Sequence, residues 1–419
     1  MQILRRWFRR ELSHPSLTWT GTVLFCAFLA LVMARTLLVQ GNTHWNEEGL
    51  QLALQGNAVA EPILNGLCLA LLALELLADW PRALVAGGLI LLRQSGLVNI
   101  YQMIPLEMAI VVSLCNLSRE SVIRWTWLIL HLLYIALLLW LLNGGWVSEV
   151  LTDPGSSKID FFARQGTSLG MNHPNTLAQL LMTTLLMIWV IWHPKRRWLS
   201  CLLFWPAAYG IFYLTLSRTA ALVMIAFPIL SMLSGLLWGD WRPWVWKKKQ
   251  AALPAPALRN GKVKVALAAL LPLLAIAGSI GVSWFYAQNN RVLGGDTAFS
   301  LRFQEFRYFL EGGIPAFGQI PTGRVYLDNF YMWMLYCCGW VSTALWMGLY
   351  AWMTGFLAWK KRDALLAVAL VFLFYAYMEN ALVFVAHFFV PLLGFCVDRR
   401  RINDLPSSGK AAPAPAEPA

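Results

Sequence analysis

The sequence predicts an all-α polytopic membrane protein, and three observations carry that expectation. Hydrophobic residues make up 58% of the 419 and charged residues 13%, with a mean hydropathy of +0.57, whereas a soluble domain of this size needs far more charge to cover its surface. Apolar runs of about 17 to 25 residues recur along nearly the whole chain, the length that crosses roughly 30 Å of hydrocarbon as helix, so a helical bundle is expected and not a barrel. The net charge of +12 comes from Lys and Arg gathered in short segments between those runs, which is the positive-inside pattern and argues against a nucleic-acid partner.

The basic N-terminus, residues 1–16, carries Arg5, Arg6, Arg9 and Arg10 ahead of an apolar run too long for a signal-peptide core and without a clear small-residue cleavage site. It reads as a cytoplasmic segment before a retained first helix. A single transmembrane domain then occupies 17–397, with spans expected at 17–39, 62–78, 83–98, 100–118, 125–142, 176–192, 199–216, 219–238, 265–287, 330–358, 364–377 and 383–397. That makes about twelve helices. The third, fourth, eleventh and twelfth are short or carry polar residues such as Arg93, Gln102 and Glu107.

Threading from a cytoplasmic N-terminus puts Arg82, Arg119, Arg124, Arg197, Lys247 and its neighbours, Lys360 and Arg399 on the inside, so every strongly basic loop falls on one side. The same threading puts the acidic loop with Glu47, Glu48 and Glu61 outside, along with the loops 144–175 and 288–329. The basic, aromatic linker 239–264 reads as a cytoplasmic membrane-surface segment. The Pro/Ala-rich tail 398–419 reads as disordered and cytoplasmic. Such a chain belongs in the cytoplasmic (inner) membrane with both termini inside. The seven cysteines lie in or beside apolar runs without metal-type spacing, and they read as buried thiols rather than disulfide or zinc ligands.

Four polar clusters stand out, and threading sends all of them outside. Asn172-His173-Pro174-Asn175 opens the sixth span, with Asn172 or Asn175 suited to capping and Pro174 to a first helical turn. Thr215-Leu216-Ser217-Arg218-Thr219 joins two spans with almost no loop. Arg218 there either snorkels to headgroups or points into the bundle mouth, where its planar fork suits a phosphate. The stretch 300–310 has apolar residues at helical spacing, so it is expected to form a short amphipathic helix on the outer surface, carrying Arg302 and Arg307 to headgroup level. Asp328-Asn329 precedes the tenth span, either as an N-cap or as a reactive pair, and Glu379-Asn380 adds a carboxylate near the outer end of the eleventh. No His/Asp/Glu spacing argues for a metal.

The order of these clusters resembles the O-antigen ligase and Wzy-type polysaccharide polymerase superfamily: a His-Pro-Asn turn, Ser-Arg-Thr between helices, Arg302 ahead of Phe317-Gly318, then Asp328-Asn329 with Tyr331 and Gly339. The His-Pro-Asn and Asp-Asn pair look most like polymerases of capsule and exopolysaccharide assembly, and the likeness covers roughly 170–380. The resemblance implies a C-type membrane glycosyltransferase, without cofactor or metal, that joins undecaprenyl-diphosphate-linked repeat units to a glycan acceptor outside the cell. Its partners would be the lipid bilayer, with a flippase and a chain-length regulator. It assigns diphosphate binding to Arg218 and Arg302, with Arg307 in reserve. Site shaping is expected of His173, Asn175, Ser217 and Asn329, and the family's base-like role falls to Asp328; on chemical grounds alone, either Asp328 or Glu379 can take the acceptor's proton. Where many ligases carry His-Asn before the late helix, this chain has Asp328-Asn329. A ligase acting on lipid A core or protein, and a multi-helix transporter or flippase, are the alternative expectations.

Overall fold

The computed structural model describes residues 15–38, 43–78, 80–98, 100–114, 120–151, 166–192, 198–238, 261–289, 313–318 and 329–379. Twelve helices follow in order: α1 Pro15–Leu38, α2 Glu47–Ala78, α3 Trp80–Gln94, α4 Ile100–Leu114, α5 Glu120–Asn143, α6 Pro174–Trp192, α7 Leu199–Thr215, α8 Arg218–Leu237, α9 Gly261–Asn289, α10 Phe330–Trp333, α11 Gly339–Trp359 and α12 Asp363–Tyr375. A π-helical turn, Met334–Cys338, joins α10 to α11. The described residues form no strand, only isolated bridges between Thr43 and Met171 and between Trp45 and Val147.

Among the described residues six helical runs are long and apolar enough to cross a membrane, namely most of α2, α5, α6, α8, α9 and the run Phe330–Trp359. Shorter apolar helices lie within α1, α3, α7 and α12. Large apolar side chains such as Val59, Leu91, Leu202 and Leu345 are 60% or more exposed (68%, 68%, 64% and 72%), which water would disfavour and lipid tails would not. Proline sits inside α2, α7, α8 and α9 (Pro62, Pro206, Pro228, Pro272), a placement that membrane helices tolerate because neighbouring groups re-satisfy the freed carbonyl.

The second helix departs from the sequence expectation. Pro62 suggested a helix start, and Glu47, Glu48 and Glu61 a loop, yet α2 runs unbroken from Glu47. Asn46 supplies the missing start signal: its Oδ1 accepts from Gly49 N–H at 2.7 Å, and Glu47 and Glu48 in the first turn offset the positive end of the helix dipole. The amide of Asn46 donates to Gly145 O at 2.6 Å, and His44 N–H donates to Gly170 O at 2.8 Å. Segments 43–46, 144–151 and 166–171 thereby knit into a cap over one end of the bundle.

The core gathers around α12. Leu366, Ala367, Val368, Ala369, Val371 and Phe372 are all fully buried, as expected of a helix that is apolar all round. Trp189, Phe204 and Phe227 pack edge-on and tilted between α6, α7 and α8, with Phe204 and Phe227 centroids 4.6 Å apart.

The run from Phe330 to Trp359 is not straight. Thr354 donates to Ala268 O of α9, and Ser279 of the same helix donates to Asn329. Eleven residues of α9 rise about 16 Å, whereas the 25 residues from 329 to 354 would rise about 37 Å in a straight helix. The chain therefore turns back at Gly339, which has φ 83°. The break frees two amides, and the segment 313–318 fills it: Trp340 N–H donates to Pro315 O at 3.0 Å and Val341 N–H to Ala316 O at 3.2 Å. Gly318 and Gly339 meet backbone to backbone there, so a Cβ on Gly318 would lie 2.2 Å from Cys337 O.

Candidate functional site

At the capped end of the bundle, the start of α6, the α7–α8 junction and the turn after α12 converge on Glu379. This carboxylate is 6% exposed, and its Oε1 accepts from Thr219 Oγ1 at 3.1 Å and from Asn175 Nδ2 at 3.4 Å. Both donors stand in first helical turns, where unpaired N–H groups and the helix dipole favour negative charge.

Local sequence explains each arm. In the His-Pro-Asn turn His173 is the cap: its Nδ1 accepts from Asn175 N–H at 3.0 Å and its carbonyl accepts from Thr176 N–H. This requires an unprotonated Nδ1 and leaves the ring proton on the exposed Nε2 edge. Asn172, expected as a cap, instead accepts from the Thr176 hydroxyl at 2.8 Å. Asn175 is thereby released to reach Glu379.

The α7–α8 junction is two residues long. Leu216 closes α7 in the left-handed region, φ 55°, a conformation that costs a leucine roughly 1–2 kcal/mol. Ser217 then sits at the N-cap of α8 without using its side chain to cap it. Its hydroxyl is buried and has no hydrogen-bond partner among the described residues. Arg218 is the first residue of α8, exposed. A cation at a helix N-terminus adds to the positive dipole end instead of offsetting it, so bare first-turn N–H groups, an orphan hydroxyl and a guanidinium share one corner. That combination fits an oxyanion.

Asn329 is fully buried and fully engaged. Its Oδ1 accepts from Tyr331 N–H, Met332 N–H and Ser279 Oγ at 3.0, 3.2 and 3.1 Å, and its Nδ2 donates to Tyr377 O at 3.2 Å. Phe330 N–H also donates to Ala376 O at 3.0 Å. The residue thus clamps α9 and α10 to the turn that carries Glu379 and holds the frame of the site, without itself lining it.

The structure therefore brings together His173, Asn175, Ser217, Arg218 and Glu379, and ties Asn329 to them from behind. Arg302, Arg307, Asp328 and the expected amphipathic helix 300–310 lie outside the described residues, as does the expected span 383–397. Sequence reasoning placed Thr219 in a polar cluster without pairing it with Glu379, and did not single out Ser279 as an Asn329 donor, since a lone serine in an apolar helix usually bonds its own backbone. Among the described residues no three His, Cys, Asp or Glu side chains stand close enough to hold a metal ion.

Comparison with family models, with curated proteins and with solved structures returns no match.

Proposed function

We propose that this chain is a membrane glycosyltransferase that joins undecaprenyl-diphosphate-linked oligosaccharide repeat units at the outer leaflet of the cytoplasmic membrane, in assembly of a capsule, exopolysaccharide or O-antigen. In this reading the chain crosses the membrane about twelve times, with both termini inside and the Glu379 cluster outside. The observation that carries the reading is the convergence on Glu379 of two helix starts, those of Asn175 and Thr219, beside an unpartnered Ser217 hydroxyl and an exposed Arg218. Diphosphate binding and proton acceptance need those two kinds of group side by side.

The chemistry follows from where such a reaction takes place. Outside the cell there are no nucleotide sugars, so the donor carries its own leaving group, a lipid diphosphate. The acceptor hydroxyl attacks the anomeric carbon, forming the new C–O bond as the bond to the diphosphate oxygen breaks with its electron pair. The configuration inverts. Arg218, with Arg302 in the second cationic position and Arg307 in reserve, stabilises charge building on the departing diphosphate. The hydroxyl proton passes to a carboxylate, Glu379 or Asp328. His173 and Asn175 shape the acceptor side, and Asn329 keeps the Glu379 turn in register with α10.

The test is polymerisation by purified protein in nanodiscs supplied with an undecaprenyl-diphosphate-linked repeat unit, read as glycan length. Arg218→Ala is expected to abolish chain growth with membrane insertion unchanged; normal growth in that variant removes Arg218 from the site. In cells, deletion is expected to leave single-repeat lipid intermediates. Accumulation of long untransferred lipid-linked chains would instead indicate a ligase. Movement of the lipid-linked sugar across vesicles, with no change in glycan length, would indicate a transporter.

A further inference from the structure

Helices α1 to α4 hold a second, half-buried group of charges that the proposed reaction does not use. Arg35 in the last turn of α1 donates to Oε1 of Glu107 in α4 at 3.1 Å, and Arg93 in the last turn of α3 forms an ion pair with the same oxygen at 3.4 Å. Arg93 also reaches Asn65 Oδ1 of α2 at 3.5 Å. The three charged side chains are 22%, 14% and 12% exposed. Two guanidinium groups thus share one carboxylate, and among the described residues the cluster keeps one net positive charge between helices with apolar outer faces. A lone charge in such surroundings is costly, and an arriving anion relieves that cost.

Arg35 also stands at the boundary of two spaces. The cleft around the ion pairs is narrow, about 30 Å³, enough for a water or one oxygen of a headgroup. The adjoining groove between α1, α2 and α5 is about 420 Å³. Its described lining is almost wholly apolar, including Leu31, Leu52, Leu137, Trp140 and Trp146, and Arg35 is the one charge on it. Trp45 and Trp146 border it at the capped end of the bundle, and tryptophan at that level is the usual headgroup-depth anchor.

We propose that this is a binding site for one anionic phospholipid, with its phosphate on Arg35 and Arg93 above Glu107 and an acyl chain in the groove. The net charge of the cluster selects a lipid with one net negative charge, and the groove distinguishes a lipid from a free phosphate. The site is separate from the Glu379 cluster and does not depend on the reaction assigned to it.

The experiment is native mass spectrometry of the full-length protein released from nanodiscs containing phosphatidylglycerol and phosphatidylcholine in equal parts. One phosphatidylglycerol is expected to be retained per chain in preference to phosphatidylcholine. Arg35→Gln keeps the Arg93–Glu107 pair and leaves the cluster neutral, so retention is expected to fall about tenfold, the equivalent of about 1.4 kcal/mol. Glu107→Gln leaves two unshared arginines and is expected to raise retention. An ion pair that is only structural would not move the two variants in opposite directions, and a shift in the same direction, or none, overturns the proposal. Gly56→Leu fills the groove from a position where an added Cβ meets no atom within 4 Å; undiminished retention in that variant refutes the acyl-chain assignment. Displacement of the lipid by inorganic phosphate alone shows a free-anion site and overturns the lipid assignment as well.

Discussion

Gly339→Ala tests the architecture that positions the site. Gly339 has φ 83° and ψ 162°, a region essentially closed to residues with a Cβ, and occupying it costs of order 1–3 kcal/mol. The alanine Cβ would also lie 2.3 Å from Gly318 N and 2.4 Å from Ala316 O. These are backbone atoms with no rotamer to retreat into, so the segment 313–318 must leave. Its departure breaks the bonds from Trp340 to Pro315 and from Val341 to Ala316, each worth about 1 kcal/mol. The total loss is about 3–5 kcal/mol. Gly348→Ala on the same helix is the control: nothing lies within 4 Å of its added Cβ, and alanine is a better helix former by up to about 1 kcal/mol. The assay is chemical unfolding in detergent together with maleimide labelling of Cys337 and Cys338, in a background where the other five cysteines are alanine. Both thiols are buried, 1% and 0% exposed, and Gly318 packs on the Cys337 carbonyl. Gly339→Ala is expected to unfold earlier and to label quickly, and Gly348→Ala to do neither. Equal stability and equal labelling in the two variants would refute the backbone lock.

Asn329→Ala strips two N–H groups and the Tyr377 carbonyl of their partner; at about 1 kcal/mol for each group the loss is about 3 kcal/mol, measured by the same unfolding assay, and Asn329→Asp is expected to recover the cap but not the bond to Tyr377. Glu379→Gln keeps the size of the side chain and its bonds from Thr219 and Asn175 while removing proton acceptance, so the rate of chain growth is expected to fall about 10²–10⁴-fold with unfolding unchanged; a full rate would hand the proton to Asp328. Gly49→Ala drives a Cβ to 2.4 Å from Trp146 O, and amide exchange in 144–151 is expected to rise while that in α12 does not.

The helices were legible because hydrophobic length is the strongest signal in a membrane sequence. Starts and stops were read within a few residues wherever a polar loop bounded them, as at α6, α8 and α12. The start of α2 was misplaced because Pro62 imitates a first-turn proline, and Asn46 gains its force as a cap only once Gly145 holds it. The break at Gly339 could not be seen in the local pattern, which stays apolar through it. Gly318 and Gly339 were noted only as members of an ordered set, and what makes them necessary is contact between backbones far apart in the chain. In the site, residue types pointed to Arg218 and Glu379 separately. Their common corner comes from the way α12 ends between the starts of α6 and α8.

The charges at that corner argue for what it accepts. The starts of α6 and α8 face Glu379 directly, and the start of α10 is clamped to the same turn through Asn329 and Tyr377. The starts of α6 and α8 each contribute about half a positive charge, and Arg218 adds a full one. Against these stand the carboxylate of Glu379 and the negative ends of α7 and α12, which finish at the same corner, so the sum is close to neutral and placement decides: Arg218 is exposed and Glu379 is buried. A corner built only to stabilise Glu379 would not place an arginine at the first residue of α8, nor leave the Ser217 hydroxyl uncapped and unpartnered two atoms from the chain. Thr219 and Asn175 already donate to the carboxylate. In the proposed reaction that exposed guanidinium is what a diphosphate would meet, and a neutral sugar would have no use for it. In the proposed reaction Glu379 would add what an anion site alone lacks, a place for the acceptor's proton.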